Sequence, residues 1–259
     1  MFDLSAIGLA DILPFILVGF AAQIVDGALG MAFGVLTQTL LVSLLGVPPA
    51  TASASVHLVE VFTTGASGVS HWVHRNVDWK LFWRLVPAGV IGGALGAYTL
   101  ASIDASAARP FVMAYLTLIG FYLLYKAITL DLQPHFKDPQ FTRPLALTGG
   151  FLDAAGGGGW GPVVTSNLLI QGSDPRKTVG TVNTAEFLLT LTISITFLAT
   201  LGFSAFTHAV IGLIIGGIAA APFGAYFAKH IKPRVLLFGV SIVLIGTSAF
   251  SIAKTLDFI

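Results

Sequence analysis

The chain has 259 residues, of which 55% are apolar and 10% charged, with a net charge of +1 at pH 7 and a mean hydropathy of +0.88. A soluble domain carries roughly 25% charged residues, so a freely soluble fold is excluded. The small net charge and the lack of a basic patch interleaved with aromatics exclude a nucleic-acid partner, and the absence of cysteine removes disulfides and thiolate metal sites.

Crossing a bilayer core takes about 20 apolar residues, and eight apolar segments follow one another along the chain. The N-terminal "MFDLSAIGLADILPF" lacks the basic region and small-residue cleavage site of a signal peptide. The first segment, 14–45, is therefore expected to belong to the mature protein. It is followed by 50–71, 81–102 and 109–130, then by a polar break, "DLQPHFKDPQFTRP". The second series is 145–172, 179–201, 206–228 and 234–256. The expected division is a first transmembrane repeat over 1–130, a loop over 131–144 and a second repeat over 145–259. The fold class is an all-α polytopic membrane protein.

The two series match in order. "DGALGMAFG" at 26–34 aligns with "DAAGGGGWG" at 153–161, pairing Asp26 with Asp153 and Phe33 with Trp160. "VHLVEVFTT" at 56–64 aligns with "VNTAEFLLT" at 182–190, pairing His57 with Asn183 and Glu60 with Glu186. "GALGAY" at 93–98 aligns with "APFGAY" at 221–226. The chain reads as a duplicated unit of four segments.

Charge then constrains topology. If all eight segments cross, the 13 Lys and Arg divide seven to six between the two faces, with no positive-inside bias. If segments 1 and 5 are re-entrant hairpins, eleven of the 13 share one face: Arg75, Lys80, Arg84, Lys126, Lys137, Arg143, Arg176, Lys177, Lys229, Lys232 and Arg234. Only Arg109 and Lys254 lie opposite. Segments 1 and 5 are also too long for one plain span, too short for two, and broken by glycine. Three crossings per half make the repeats inverted, a recurring build of secondary transporters. Broken but fully crossing helices are the alternative. With the charge-rich face inside, the hairpin topology puts both termini on the outer, periplasmic side.

Irregular backbone at membrane depth persists only when buried in protein or lining a wet cavity. Gly157, Gly158 and Gly159, and Gly30 in the first half, let an anion approach the free amides and positive dipole of a half-helix start. Close helix packing is the plainer use of such glycines. Asp26, Glu60, Asp153 and Glu186 are acids inside apolar segments, where an ionised carboxylate is costly and marks a functional path or a paired site. Glu60 and Glu186 read as candidates to cycle protons. Asp26 and Asp153 read either the same way or as acceptors for backbone amides that hold the hairpins. His57 lies one turn before Glu60 on the same helix face, and its repeat mate Asn183 cannot be charged. Gln23 and Thr184 add neutral donors, and Phe33 and Trp160 shape the pocket. No pattern points to a metal or cofactor: "GGGGWG" lacks the Lys-Ser or Lys-Thr of a nucleotide loop. "GASG" at 65–68 fits an intramembrane serine protease motif, with Ser67 as nucleophile and His208 as its partner, but small-residue packing explains it without catalysis.

The blocks "GFAAQIVDGALGMAFG", "GVPPATASASVHLVEVFTT", "GGFLDAAGGGGWGPV" and "DPRKTVGTVNTAEF" resemble the TauE/SafE family of sulfite and sulfonate exporters over nearly the whole chain. The resemblance implies an inner-membrane permease, not an enzyme, that moves a small sulfur-containing or organic anion such as sulfite or sulfoacetate. The expected partners are that anion and the lipid bilayer, with monomer and homodimer both open. Export, with proton coupling, is the expected mode; a passive anion channel is the alternative.

Overall fold

Prolines and short acids set where the helices begin. The computed structural model describes residues 9–29, 31–129, 138–203, 208–230 and 233–255. Asp78 caps helix α4 (Trp79–Ser102) by accepting the amides of Lys80 and Leu81 at 2.9 and 3.2 Å. Asp174 does the same for α8 (Pro175–Leu201), accepting from Arg176 and Lys177 at 2.9 and 3.1 Å. Such caps satisfy amides that no helical turn can reach. Pro49 and Pro175 occupy first-turn positions, where a missing N–H costs nothing.

The remaining elements are α1 (Leu9–Leu29), α2 (Phe33–Ser43), α3 (Pro49–Val73), α5 (Ala105–Thr129), α6 (Thr142–Gly156), a π-helical turn over Trp160–Thr165 running into α7 (Ser166–Ile170), α9 (His208–His230) and α10 (Pro233–Thr255). The described residues are helical with no strand. The eight expected segments are all present, and both glycine-rich ones are split, into α1 and α2 and into α6 and α7. Among the described residues α4, α5 and α8 are long and apolar enough to cross a membrane by length and composition. Phe111, Leu118, Ile195 and Ile218 are each more than half exposed, which suits a lipid-facing surface. Gly30, Lys137, Lys232 and the two ends of the chain lie outside the described residues, as do the side chains of His208, Lys229 and Lys254.

The fifth segment turns back on itself. The amide of Gln140, before α6, donates to the side-chain carbonyl of Gln171, after α7, at 2.7 Å. Asp78, Asp138 and Asp174 border one small surface pocket, so the starts of α4, α6 and α8 share a face. Lys80 and Arg84 both reach Asp138 there, at 3.2 and 3.3 Å. Segment 1 opens on the other face: Ile12 lies against Gly212 near the start of α9, and Arg109 near the start of α5 donates to the carbonyl of Val42.

Helix pairs close through glycine. A Cβ on Gly92 or Gly96 of α4 would intrude on the carbonyls of Leu147 or Phe151 in α6, and one on Gly150 would meet the carbonyl of Gly89. A Cβ on Gly216 of α9 would meet the carbonyl of Ile16 in α1, again across the two halves. Thus α6 lies along α4 as α1 lies along α9. Small residues allow this backbone-to-backbone approach where lipid supplies no hydrophobic drive between helices.

Two outcomes follow. The chain has no native cysteine, so single cysteines at Asp78 and Asp174 should react with an impermeant thiol reagent from one side and a cysteine at Asp104 from the other; labelling of 78 and 174 from opposite sides would rule the hairpin out. Gly92→Leu should lower stability by about 1–3 kcal/mol through overpacking, read as an earlier thermal unfolding transition in detergent.

Candidate functional site

Each chain break is organised by one aspartate. Asp26 Oδ1 accepts the amides of Ala32 and Phe33 at 2.8 and 3.1 Å. Asp153 Oδ1 accepts those of Gly159 and Trp160 at 2.6 and 2.9 Å. The donors stand six and seven residues after the acid in both cases, so the two halves share one local device. The backbone carbonyl of Asp153 also accepts from Gly157 and Gly158, at 2.8 and 2.9 Å. That turn needs φ of +78° at Gly157 and +144° at Gly158, which only glycine adopts without strain. Tyr115 of α5 closes it by donating its hydroxyl to the carbonyl of Gly158 at 2.9 Å.

The two breaks touch. A Cβ on Gly158 would run into the backbone of Gly34 and Val35, and one on Gly161 would stand 2.7 Å from Met31 Cβ. Beside this contact lies a cavity of about 420 Å³. Its wall takes Gln23 and Asp26 from α1, Phe33 and Gly34 from α2, Gly158 and Gly159 from the second break, and Asp153 from α6. The stripe Glu60, Thr63, Thr64, Ser67 and His71 comes from α3, and Val179, Asn183 and Glu186 come from α8. These stripes follow helical spacing, so one face of each helix lines the space. The lining reaches toward the face of Asp78 and Asp174 through His71 and Val179, near the end of α3 and the start of α8.

Of the candidates, Gln23, Asp26, Phe33, Glu60, Asp153, Gly158, Gly159, Asn183 and Glu186 come together on this wall. Others stand behind it. His57 is fully buried, with Nε2 3.2 Å from Asp153 Oδ2. Trp160 is fully buried between α4 and α8, its indole N–H donating to the carbonyl of Val182 at 3.2 Å. Gly157 packs on Gln38. Thr184 donates to the carbonyl of Gly180 at 2.7 Å, bonding its own helix as membrane hydroxyls commonly do. Gly30 lies outside the described residues. Ser67 accepts from Asn183 Nδ2 at 3.4 Å, a cavity-wall contact.

The amides expected to meet an anion are differently engaged: Gly159 N–H and Trp160 N–H already point at Asp153. Sequence reasoning passed over Thr63 and Thr64, although their spacing from Glu60 along the helix was a usable signal. It also passed over Tyr115, which stands 43 residues from its partner and which no local pattern could connect to it. The described residues hold no group of three or more His, Cys, Asp or Glu able to bind a metal ion.

Comparison with known proteins agrees with this architecture. Residues 15–251 match the family model described as "Sulfite exporter TauE/SafE". The chain is 41% identical over 244 residues to the "Probable membrane transporter protein YtnM" of Bacillus subtilis (strain 168), across 91% of this chain and 81% of that protein. No solved structure matches.

Removing the carboxylate at a break should strand two buried amides, each at about 1–3 kcal/mol. Asp26→Ala is therefore expected to unfold at a clearly lower temperature in detergent, and Asp26→Asn, which keeps an acceptor oxygen, at a temperature closer to that of the native chain. Equal losses in the two variants would show that the amides do not depend on this side chain.

Proposed function

Since the chain belongs to the TauE/SafE sulfite exporter family and is a membrane transporter, not an enzyme, we propose that it carries a small sulfur-containing or organic anion together with protons. The carrying observation is the cavity wall. Among the described residues, four carboxyl groups, those of Asp26, Glu60, Asp153 and Glu186, line it, and no lysine or arginine does. A unit negative charge about 6 Å from one ionised carboxylate is opposed by about 3 kcal/mol at an effective dielectric constant of about 20. An anion facing more than one such group is repelled by several kcal/mol, and each proton placed on the wall removes one of these repulsions. Anion and protons are then bound together.

Glu60 and Glu186, repeat mates on α3 and α8, are the groups that carry these protons. The neutral donors beside them are Asn183 Nδ2 and the hydroxyl of Ser67, whose oxygen accepts from Asn183 and whose proton is left for the cavity. A space of about 420 Å³ suits sulfite, sulfoacetate or a small dicarboxylate. By the positive-inside rule the face of Arg84 and Lys80 is cytoplasmic. The cavity then opens inward and both termini are periplasmic, in the inner membrane. Rocking one half against the other moves the site to the second face. Anion and protons leave together down the anion's own gradient, which makes the chain an exporter where that anion accumulates inside. The wall includes no residue from the far-side segments 43–49 or 102–105, which favours alternating access over a passive channel.

In proteoliposomes, flux of sulfite, sulfoacetate or a dicarboxylate control should rise when the side supplying the anion is acidified, because protonation must precede or accompany binding. Glu60→Gln and Glu186→Gln should each weaken that pH dependence. Flux and pH profile both unchanged in the two variants would end the proton-coupling proposal.

A further inference from the structure

His57 and Asp153 form a buried pair whose hydrogen bonds can be counted completely. His57 Nδ1 stands 2.7 Å from the backbone carbonyl of Ser53, which can only accept. The hydroxyl of Ser53, 3.2 Å from the same nitrogen, gives its own proton to the carbonyl of Ala154 at 2.8 Å, so it too can only accept at Nδ1. Nδ1 therefore carries hydrogen. That leaves Nε2 facing Asp153 Oδ2 at 3.2 Å. Two lone pairs in a site this buried repel, and the contact is favourable only when one further proton lies between them, on either partner.

We propose that His57 and Asp153 together hold one exchangeable proton that latches the second hairpin, distinct from the protons on Glu60 and Glu186. Asp153 is a positioning residue here. Its Oδ2 meets the proton while its Oδ1 holds the Gly159 and Trp160 amides on the cavity wall. Loss of the proton turns a hydrogen bond into a repulsion between Oδ2 and Nε2. The carboxylate or the ring must then turn, and the break moves with the carboxylate. The first hairpin is built otherwise. Asp26 holds its amides in the same way, but the mate of His57 is Asn183, which cannot titrate and donates to Ser67. Among the described residues only the second hairpin has the latch. The titratable groups around the pair are Glu60 on its own helix, Glu186 on α8, Asp26 on α1 and Tyr115 on α5, so its proton is coupled to theirs through charge.

Asp153→Asn separates this idea from a structural role. Asparagine keeps an oxygen for the two amides and an N–H for His57 Nε2, reproducing the proton-bound hydrogen bonds without a removable proton. In full-length protein with ¹⁵N-labelled histidine in lipid nanodiscs, the His57 signals are identified by their loss in His57→Gln. They should shift with pH in the native chain and stay fixed in Asp153→Asn. In proteoliposomes both variants should alter the pH profile of anion flux, leaving only the part of the pH dependence that Glu60 and Glu186 carry. A His57 signal that ignores pH in the native chain, or a native pH profile in either variant, overturns the latch. The flux arm rests on the transport reading above and the resonance arm does not. Shifting His57 signals with no flux of any tested anion would support the latch and count against the substrate class.

Discussion

Everything at the centre of this protein depends on how two helix breaks satisfy their backbone amides inside a membrane. Water is not there to accept those N–H groups, and each unsatisfied one is expensive. The chain answers with a carboxylate six residues upstream, Asp26 in one half and Asp153 in the other, each taking two amides on one oxygen. The cost of placing an acid at membrane depth is thereby offset by charge-assisted hydrogen bonds. The hairpin, its tight glycine turn and the contact between the two breaks follow from that choice.

The same choice gives the cavity its character. Glycine-rich breaks suggest bare amides waiting for an anion, as at many helix starts. Here two of those amides are engaged by Asp153, and the wall beside them presents carboxyls with no lysine or arginine among the described lining residues. Such a surface does not attract an anion by charge. On the proposed reading it admits one only by first or simultaneously binding protons, which makes the acids part of the recognition of an anion instead of an obstacle to it. In the proposed latch, His57, buried behind Asp153, connects the state of a proton to the position of the backbone that borders the cavity.

Packing fixes how rigidly this is held. Gly92, Gly96 and Gly150 bring α4 and α6 to backbone contact, and Gly216 does the same for α1 and α9, so each hairpin's long arm is bound to a helix of the other half. The short arms α2 and α7 make no comparable glycine seam and meet at the centre through the breaks.

The sequence by itself determined the membrane class, the eight segments and the positions of both breaks, because hydropathy and glycine clusters are local properties. It also suggested the pairing of Asp26 with Asp153 and of Glu60 with Glu186, and the two aspartates do accept amides at the same six- and seven-residue spacing. The charge asymmetry already favoured hairpins, and the return of the fifth segment from Gln140 to Gln171 agrees with it. Tertiary structure alone decided which groups face the cavity and which stand behind it. His57 and Trp160 share the spacing of wall residues, yet they turn to Asp153 and Val182, because a helix face becomes a wall or a core only when its neighbours are placed. Tyr115 could not be read at all: its bond to Gly158 joins two helices through space, and nothing local along the chain records such a meeting.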